Sequence, residues 1–214
     1  MMARFACALA LAAVPGAAVV IDRIAVIVGN HVIKDSDMVR DIRVVGFLNH
    51  EPPSFSLAAR KQCASRLIDQ EFIREEMSLG AYPQATPDEA AELLAKLRAS
   101  SSASPADWTD QLLQAHLTES ELRDALAWQV SVLRFISLKF RPGVFIADDQ
   151  LRQYYDAHRA ELEAANPDRP PTFEGLRSAI ETTLVEDRVN QLFYDWLDEK
   201  RKEARIIYRE PELK

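Results

Sequence analysis

Cysteine is nearly absent: Cys7 and Cys63 are the two in 214 residues. A disulfide-stapled scaffold needs a richer pattern. Histidine is scarce as well. His31, His50, His116 and His158 stand apart, with no HExxH, CxxC or acidic EF-hand loop to hold a metal. Neither a GxSxG elbow nor a phosphate-cradling glycine loop occurs. Six glycines are too few for a Gly-rich fibre or a sandwich of many tight turns. Positive charge is in deficit: 26 Lys and Arg face 33 Asp and Glu, a formal net charge of −7. That balance argues against broad nucleic-acid binding, which needs a basic surface to displace counterions. After residue 33 no apolar run approaches the roughly 20 residues that cross a bilayer. Four methionines, two of them Met1 and Met2, exclude a Met-rich adaptable surface.

Hydrophobic residues make up 48% and charged residues 28%, a globular balance that excludes wholesale disorder. The start of the chain differs from the rest. Arg4 is the only charge before Asp22, and Phe5–Val14 is an unbroken apolar run. Pro15 and Gly16 break it, and Ala17 and Ala18 follow. A cationic start, a short apolar core and small residues at the cleavage point read as a secretory signal peptide over residues 1–18. A buried N-terminal helix is the alternative. Cleavage after Ala18 removes Cys7 and leaves Cys63, whose helical neighbours make it a packing residue rather than a nucleophile.

Val19–Val28 (VVIDRIAVIV) is rich in β-branched residues and predicts a strand. Gly29-Asn30 supplies a turn, and Val32-Ile33 resume as a second strand of a hairpin. Asp35 or Ser36 is expected to cap a helix carrying Met38, Ile42, Val45 and Leu48. Leu57–Leu79 has helical spacing throughout, with Gly80 at its C-terminal cap. Thr86-Pro87-Asp88-Glu89 is a capping box opening a short helix with Leu93, Leu94 and Leu97 inward. The serine linker Ser100–Ser104 leads to another, with Trp108, Leu112 and Leu113 inward. Thr118-Glu119-Ser120-Glu121 opens a long helix with Leu122, Ala125, Leu126, Val130, Leu133 and Ile136 inward, stopped by Arg141-Pro142-Gly143. A helix through Leu151, Tyr154 and Tyr155 follows. Glu163–Pro171, with Pro167, Pro170 and Pro171, is expected to be a loop. Thr172 caps the last long helix, and Ala204–Arg209 is expected to be a final strand. An isolated hairpin is marginal in water, so Ile206–Tyr208 is expected to pair with it and close the sheet. The fold class is therefore mainly α, several helices with a small sheet made by an N-terminal hairpin and a C-terminal strand.

The order of these elements and several short segments resemble the SurA family of periplasmic chaperones and parvulin-type prolyl isomerases. The segments are VVIDRIAVIVGNHVIKDSDM, Arg66–Gln70, LTESELRDALAWQVSVLRFI, Phe145–Asp149 leading into Tyr155, and Pro171–Glu174 through Trp196-Leu197 to ARIIY. The resemblance implies a SurA-N-like chaperone domain over residues 19–214. Its N-terminal part would span 19–146 and its closing helices and strand 147–214. In the family one or two parvulin domains stand between those parts. Here that place, 163–171, is too short for the isomerase sheet and its catalytic residues. The resemblance thus implies a non-enzymatic holdase in the periplasm, without metal or cofactor and without stable membrane insertion once the signal is gone. Its partners would be unfolded or nascent outer-membrane or envelope proteins. An envelope assembly subunit with one dedicated partner is the alternative, and a residual prolyl isomerase a weaker one. Val44, Val45, Phe47, Leu48 and Phe55, near prolines and a linker, are the candidates for an apolar peptide-binding groove, though each also fits a helical core.

Overall fold

A computed structural model of the protein describes residues 22–101, 104–165 and 171–214. The expected signal peptide and Val19–Ile21 lie outside these residues. Strand β1 (Ile24–Val28) and strand β2 (His31–Lys34) form the expected antiparallel hairpin. Gly29 takes a φ of +56° in the turn, a conformation natural to glycine. The expected C-terminal strand is β3 (Ile206–Tyr208), and it pairs antiparallel with β1, with Ile27 opposite Ile207, in the sheet order β2–β1–β3. Two further backbone bonds stitch its ends: Gly29 N–H donates to Arg205 O (3.0 Å) and Arg209 N–H to Ala25 O (2.8 Å). A register shift between Ile24 and Val26 lets the adjacent residues Ala25 and Val26 both face the core, which simple alternation forbids.

Seven α-helices, with a short 3-10 turn over Pro211–Leu213, complete the described residues. They are α1 (Asp35–Leu48), α2 (Leu57–Leu79), α3 (Pro87–Ser100), α4 (Pro105–Ala115), α5 (Glu119–Phe140), α6 (Asp148–Ala165) and α7 (Phe173–Glu203). The capping boxes form as expected. Thr86 Oγ1 accepts from Glu89 N–H (3.2 Å) while the Glu89 carboxylate accepts from Thr86 N–H (2.7 Å), and Thr118 and Glu121 repeat the arrangement. At the start of α7 the Gly175 N–H donates to the capping Thr172 Oγ1 (3.2 Å).

Several expectations need correction. Neither Asp35 nor Ser36 caps α1. Lys34 occupies that position, its N–H bonded to the Asp37 carboxylate (3.0 Å), while the Ser36 hydroxyl is drawn away to Asp22 (2.6 Å). Gly80 does end α2, but with φ −87°; the left-handed residue is Ala81. Leu113 is 66% exposed because the short α4 packs by its Trp108–Leu112 face and Leu113 is turned away from it. Leu133 is 67% exposed because α5 changes partners along its length. Helix α6 runs to Ala165, so the expected loop begins later than Glu163; residues 166–170 lie outside the described ones.

The buried residues form two cores. The first joins Ala25, Val26 and Ile33 of the sheet to Met38 and Ile42 of α1, the inner face of α2, Phe135 and Phe140 of α5, Phe193 and Leu197 of α7, and Leu213. Aromatic rings fill its centre: Phe135 meets Tyr82 edge-on at 5.0 Å and Trp196 at 5.6 Å, and Phe140 meets Phe193 at 5.8 Å. Arg60 clamps its margin by reaching both Asp35 (2.9 Å) and Glu210 (2.6 Å), and Arg201 does the same with Asp69 and Ser65. Burial pushes the Asp69 carboxyl up even with Arg201 bonded to it. The second core joins Val44 of α1, Leu94 of α3, Trp108 and Leu112 of α4, Leu117, and Leu122 and Leu126 of α5. Helices α1 and α5 thus belong to both cores, one at each end. Helix α6 packs along α7, where Leu151 is buried and Tyr155 bonds Pro171 O (3.0 Å).

Candidate functional site

The five residues singled out for an apolar groove end up in different settings. Val44 is in the second core, with Phe47 and Leu48 packed against it, and Phe47 meets Trp108 edge-on at 5.6 Å. Val45 is half-buried, and Phe55 is 45% exposed beyond the end of α1. There the chain doubles back on α1 at Gly46, where a Cβ would lie 2.9 Å from Glu51 O. The five therefore do not make one open apolar face.

An open cleft of about 590 Å³ lies beside Val44, at the seam between the two cores. Three helices build it with one spacing. Helix α1 contributes Asp37, Arg40, Asp41 and Val44; α2 contributes Leu67, Gln70, Glu71 and Arg74; α5 contributes Glu121, Asp124, Ala125 and Trp128. Each set runs i, i+3, i+4, i+7, which is one stripe of a helix. Val32 and Ile33 of β2 close one side. The apolar members are Val32, Ile33, Val44, Leu67, Ala125 and Trp128.

The polar members are five carboxylates, two guanidiniums and the Gln70 amide. Both guanidiniums are engaged. Arg40 lies 3.6 Å from Asp37 and 3.3 Å from Glu121. Arg74 pairs with Glu71, bonds Gln70 (3.1 Å) and stacks over the Trp128 ring at 4.7 Å. Asp41 is held from outside by Arg66 (2.5 Å). The Thr118 N–H bonded to Glu121 holds that carboxyl below its ordinary range. Asp124 is exposed and has no ion pair among the described residues.

Sequence reasoning missed this cleft because its stripes mix charge with apolar residues. The signal was nonetheless present in the repeated spacing on three helices, with Trp128 lying off the Leu122–Leu126 face.

A second groove of about 520 Å³ runs between α6 and α7, lined by Ile146, Tyr154, His158, Leu184 and Arg188 among others. Tyr154 and His158 stack at 4.1 Å there, and Phe145, beside Ile146, is 83% exposed. Cys63 is in neither groove. It is buried in the first core with Sγ 3.4 Å from Met38 O, and burial pushes its thiol far up, away from the reactive thiolate. Among the described residues no group of three or more His, Cys, Asp or Glu side chains is placed to hold a metal ion, and no helix is long and apolar enough to cross a membrane.

No family model and no curated protein matches the sequence. The likeness is structural. One matching solved structure comes from the human pathogen Campylobacter jejuni, whose virulence factor PEB4 and periplasmic protein Cj1289 are described as two structurally related SurA-like chaperones. The match covers 88% of this chain and 100% of that chain, with a TM-score of 0.55 and 11% identity. At that identity the likeness is one of fold: this chain has a SurA-like chaperone fold.

Proposed function

We propose that the protein is an exported, non-catalytic chaperone that holds unfolded outer-membrane or other envelope proteins in the periplasm. The observation that carries this reading is the SurA-like fold, a likeness that covers 88% of this chain. The open cleft between α1, α2 and α5 supports it, because a holdase needs loosely specific apolar surface on a soluble, charged body. Residues 19–214 are read as one chaperone domain that follows a removable signal over residues 1–18. Helix α6 ends at Ala165 and α7 begins at Phe173, which leaves no place between them for a parvulin sheet. The client-binding surface then centres on the cleft and extends past Val44 towards Val45, Phe47, Leu48 and Phe55.

The test is aggregation of a urea-unfolded outer-membrane β-barrel diluted into buffer with and without the purified protein. Suppression at near-stoichiometric ratios is expected. Undiminished light scattering at an excess of the protein overturns the reading. Capture of one stoichiometric partner in place of many unfolded clients would instead favour a dedicated assembly subunit.

A further inference from the structure

Resting on the client-binding reading above, we propose that the cleft between α1, α2 and α5 selects extended polypeptide segments that present lysine or arginine on the same face as apolar side chains. Its volume, about 590 Å³, lies within the range of sites that enclose a short stretch of ligand rather than a folded element. The apolar members, Val44, Leu67, Ala125 and Trp128 with Val32 at the side, offer contact to alternate side chains of an extended segment. The charge around them is one-sided. Five carboxylates share the cleft with two guanidiniums, and those two are already committed to Asp37, Glu121 and Glu71. A basic side chain entering beside Asp124 gains an unpartnered carboxylate and displaces nothing. An acidic side chain meets Asp124 and Glu121 with no uncommitted cation inside the cleft to receive it, and such like-charge juxtaposition rejects a partner.

The cleft also displays the contact it would offer. Arg74 stands over the Trp128 ring while bonded to Glu71 and Gln70, so the indole face accepts a guanidinium between acceptors. The groove between α6 and α7 lacks this bias, because its Asp187 and Arg188 oppose one another in charge. It therefore serves as an internal control.

Fluorescence anisotropy with labelled ten-residue peptides tests the proposal on the full chain. A Leu/Lys peptide, with Leu and Lys taking turns along one face and Ser between them, is expected to bind about tenfold tighter than the matching Leu/Glu one at low salt, with the gap narrowing as ionic strength rises. It should also bind tighter than a Ser/Lys peptide, which lacks apolar contacts. Asp124→Lys is expected to weaken Leu/Lys binding about fivefold without moving the melting temperature, since Asp124 is exposed. Should that variant fold poorly, Asp124→Asn gives the same direction with a smaller step. Asp187→Lys, in the other groove, should leave binding unchanged. Equal affinity for the Leu/Lys and Leu/Glu peptides, or a loss with Asp187→Lys and none at Asp124, overturns the proposal. Suppressed aggregation without any charge preference defeats this inference alone. A charge preference without suppressed aggregation defeats the chaperone reading alone.

Discussion

The two cores are built from contacts of very different reach. The second draws on Val44 and then on residues between Leu94 and Leu126, consecutive helices joined by capping boxes. The first needs both ends of the chain: Ala25 and Leu213 lie in the same cluster, and Arg60 reaches Glu210. Local contacts cost little loop closure, whereas joining distant ends costs entropy before the core repays it. On that ground the second core is expected to form first, and the first to be completed only when the C-terminal strand arrives. The cleft lies where they meet, between α2 and the two helices they share.

Removing Ala204–Lys214 gives the largest break in that comparison. It takes away β3, the buried Leu213 and the Glu210 partner of Arg60, and it leaves the edge of β1 open. The melting temperature should fall by at least about 10 °C, which for a chain of this size corresponds to several kcal/mol. Amide exchange should quicken across β1, β2 and α2 while α3 and α4 keep their protection. An unchanged melting curve would mean that the ends do not hold the sheet.

Single large-to-small changes come next, one in each core. Phe135→Ala empties the centre of the aromatic cluster, and Trp108→Ala removes the second core's largest side chain together with the indole donor bonded to Glu119 (2.8 Å). Each should cost about 3–5 kcal/mol. Chemical denaturation then asks whether the cores act together. If residues 19–214 are one domain, both variants shift a single transition. A separate early transition in Trp108→Ala would split the chain into two cooperative units.

Much of this was legible in the sequence. The capping boxes at Thr86 and Thr118, the ends of α2 and the pairing of Ile206–Tyr208 with the hairpin follow from local chemistry and from the need of a hairpin for a third strand. What escaped was set by tertiary partners. Leu133 continues the stripe of Leu122 and Leu126, yet the second core ends before it, and the first core takes α5 by its Ser131–Phe135 side. Spacing along one helix does not record where its partner stops. The shift at Ala25 and the cap at Lys34 depend on a neighbouring strand and on Asp37. The candidate groove residues are separated for a related reason: proximity to prolines marks a chain reversal, and the reversal after α1 accompanies the packing of Phe47 and Leu48 onto the second core. The cleft was hidden because no one helix shows it.

The smallest effect separates the cores by the origin of a single pKa depression in each. Lys139, bonded to Glu76 at 2.6 Å with Lys200 nearby, holds the Glu76 carboxyl below its usual range beside the first core. At the seam the Thr118 N–H does the same for Glu121. In both cases the folded value is lowered, so the stabilisation is in place above the ordinary glutamate range. It is lost as pH falls through the lowered folded value. The sources differ in salt response, because a partly exposed ion pair is screened whereas a hydrogen bond from a helix-capping amide is not. Glu76→Gln should cost no more than about 1 kcal/mol at neutral pH and flatten the acid limb of the stability curve in low salt, but change little in high salt. Glu121→Gln should flatten the acid limb equally in both. The same salt dependence for the two variants would show that Arg40 and not the cap amide governs Glu121, and the contrast between an end-locked core and a locally capped one would lose its electrostatic side.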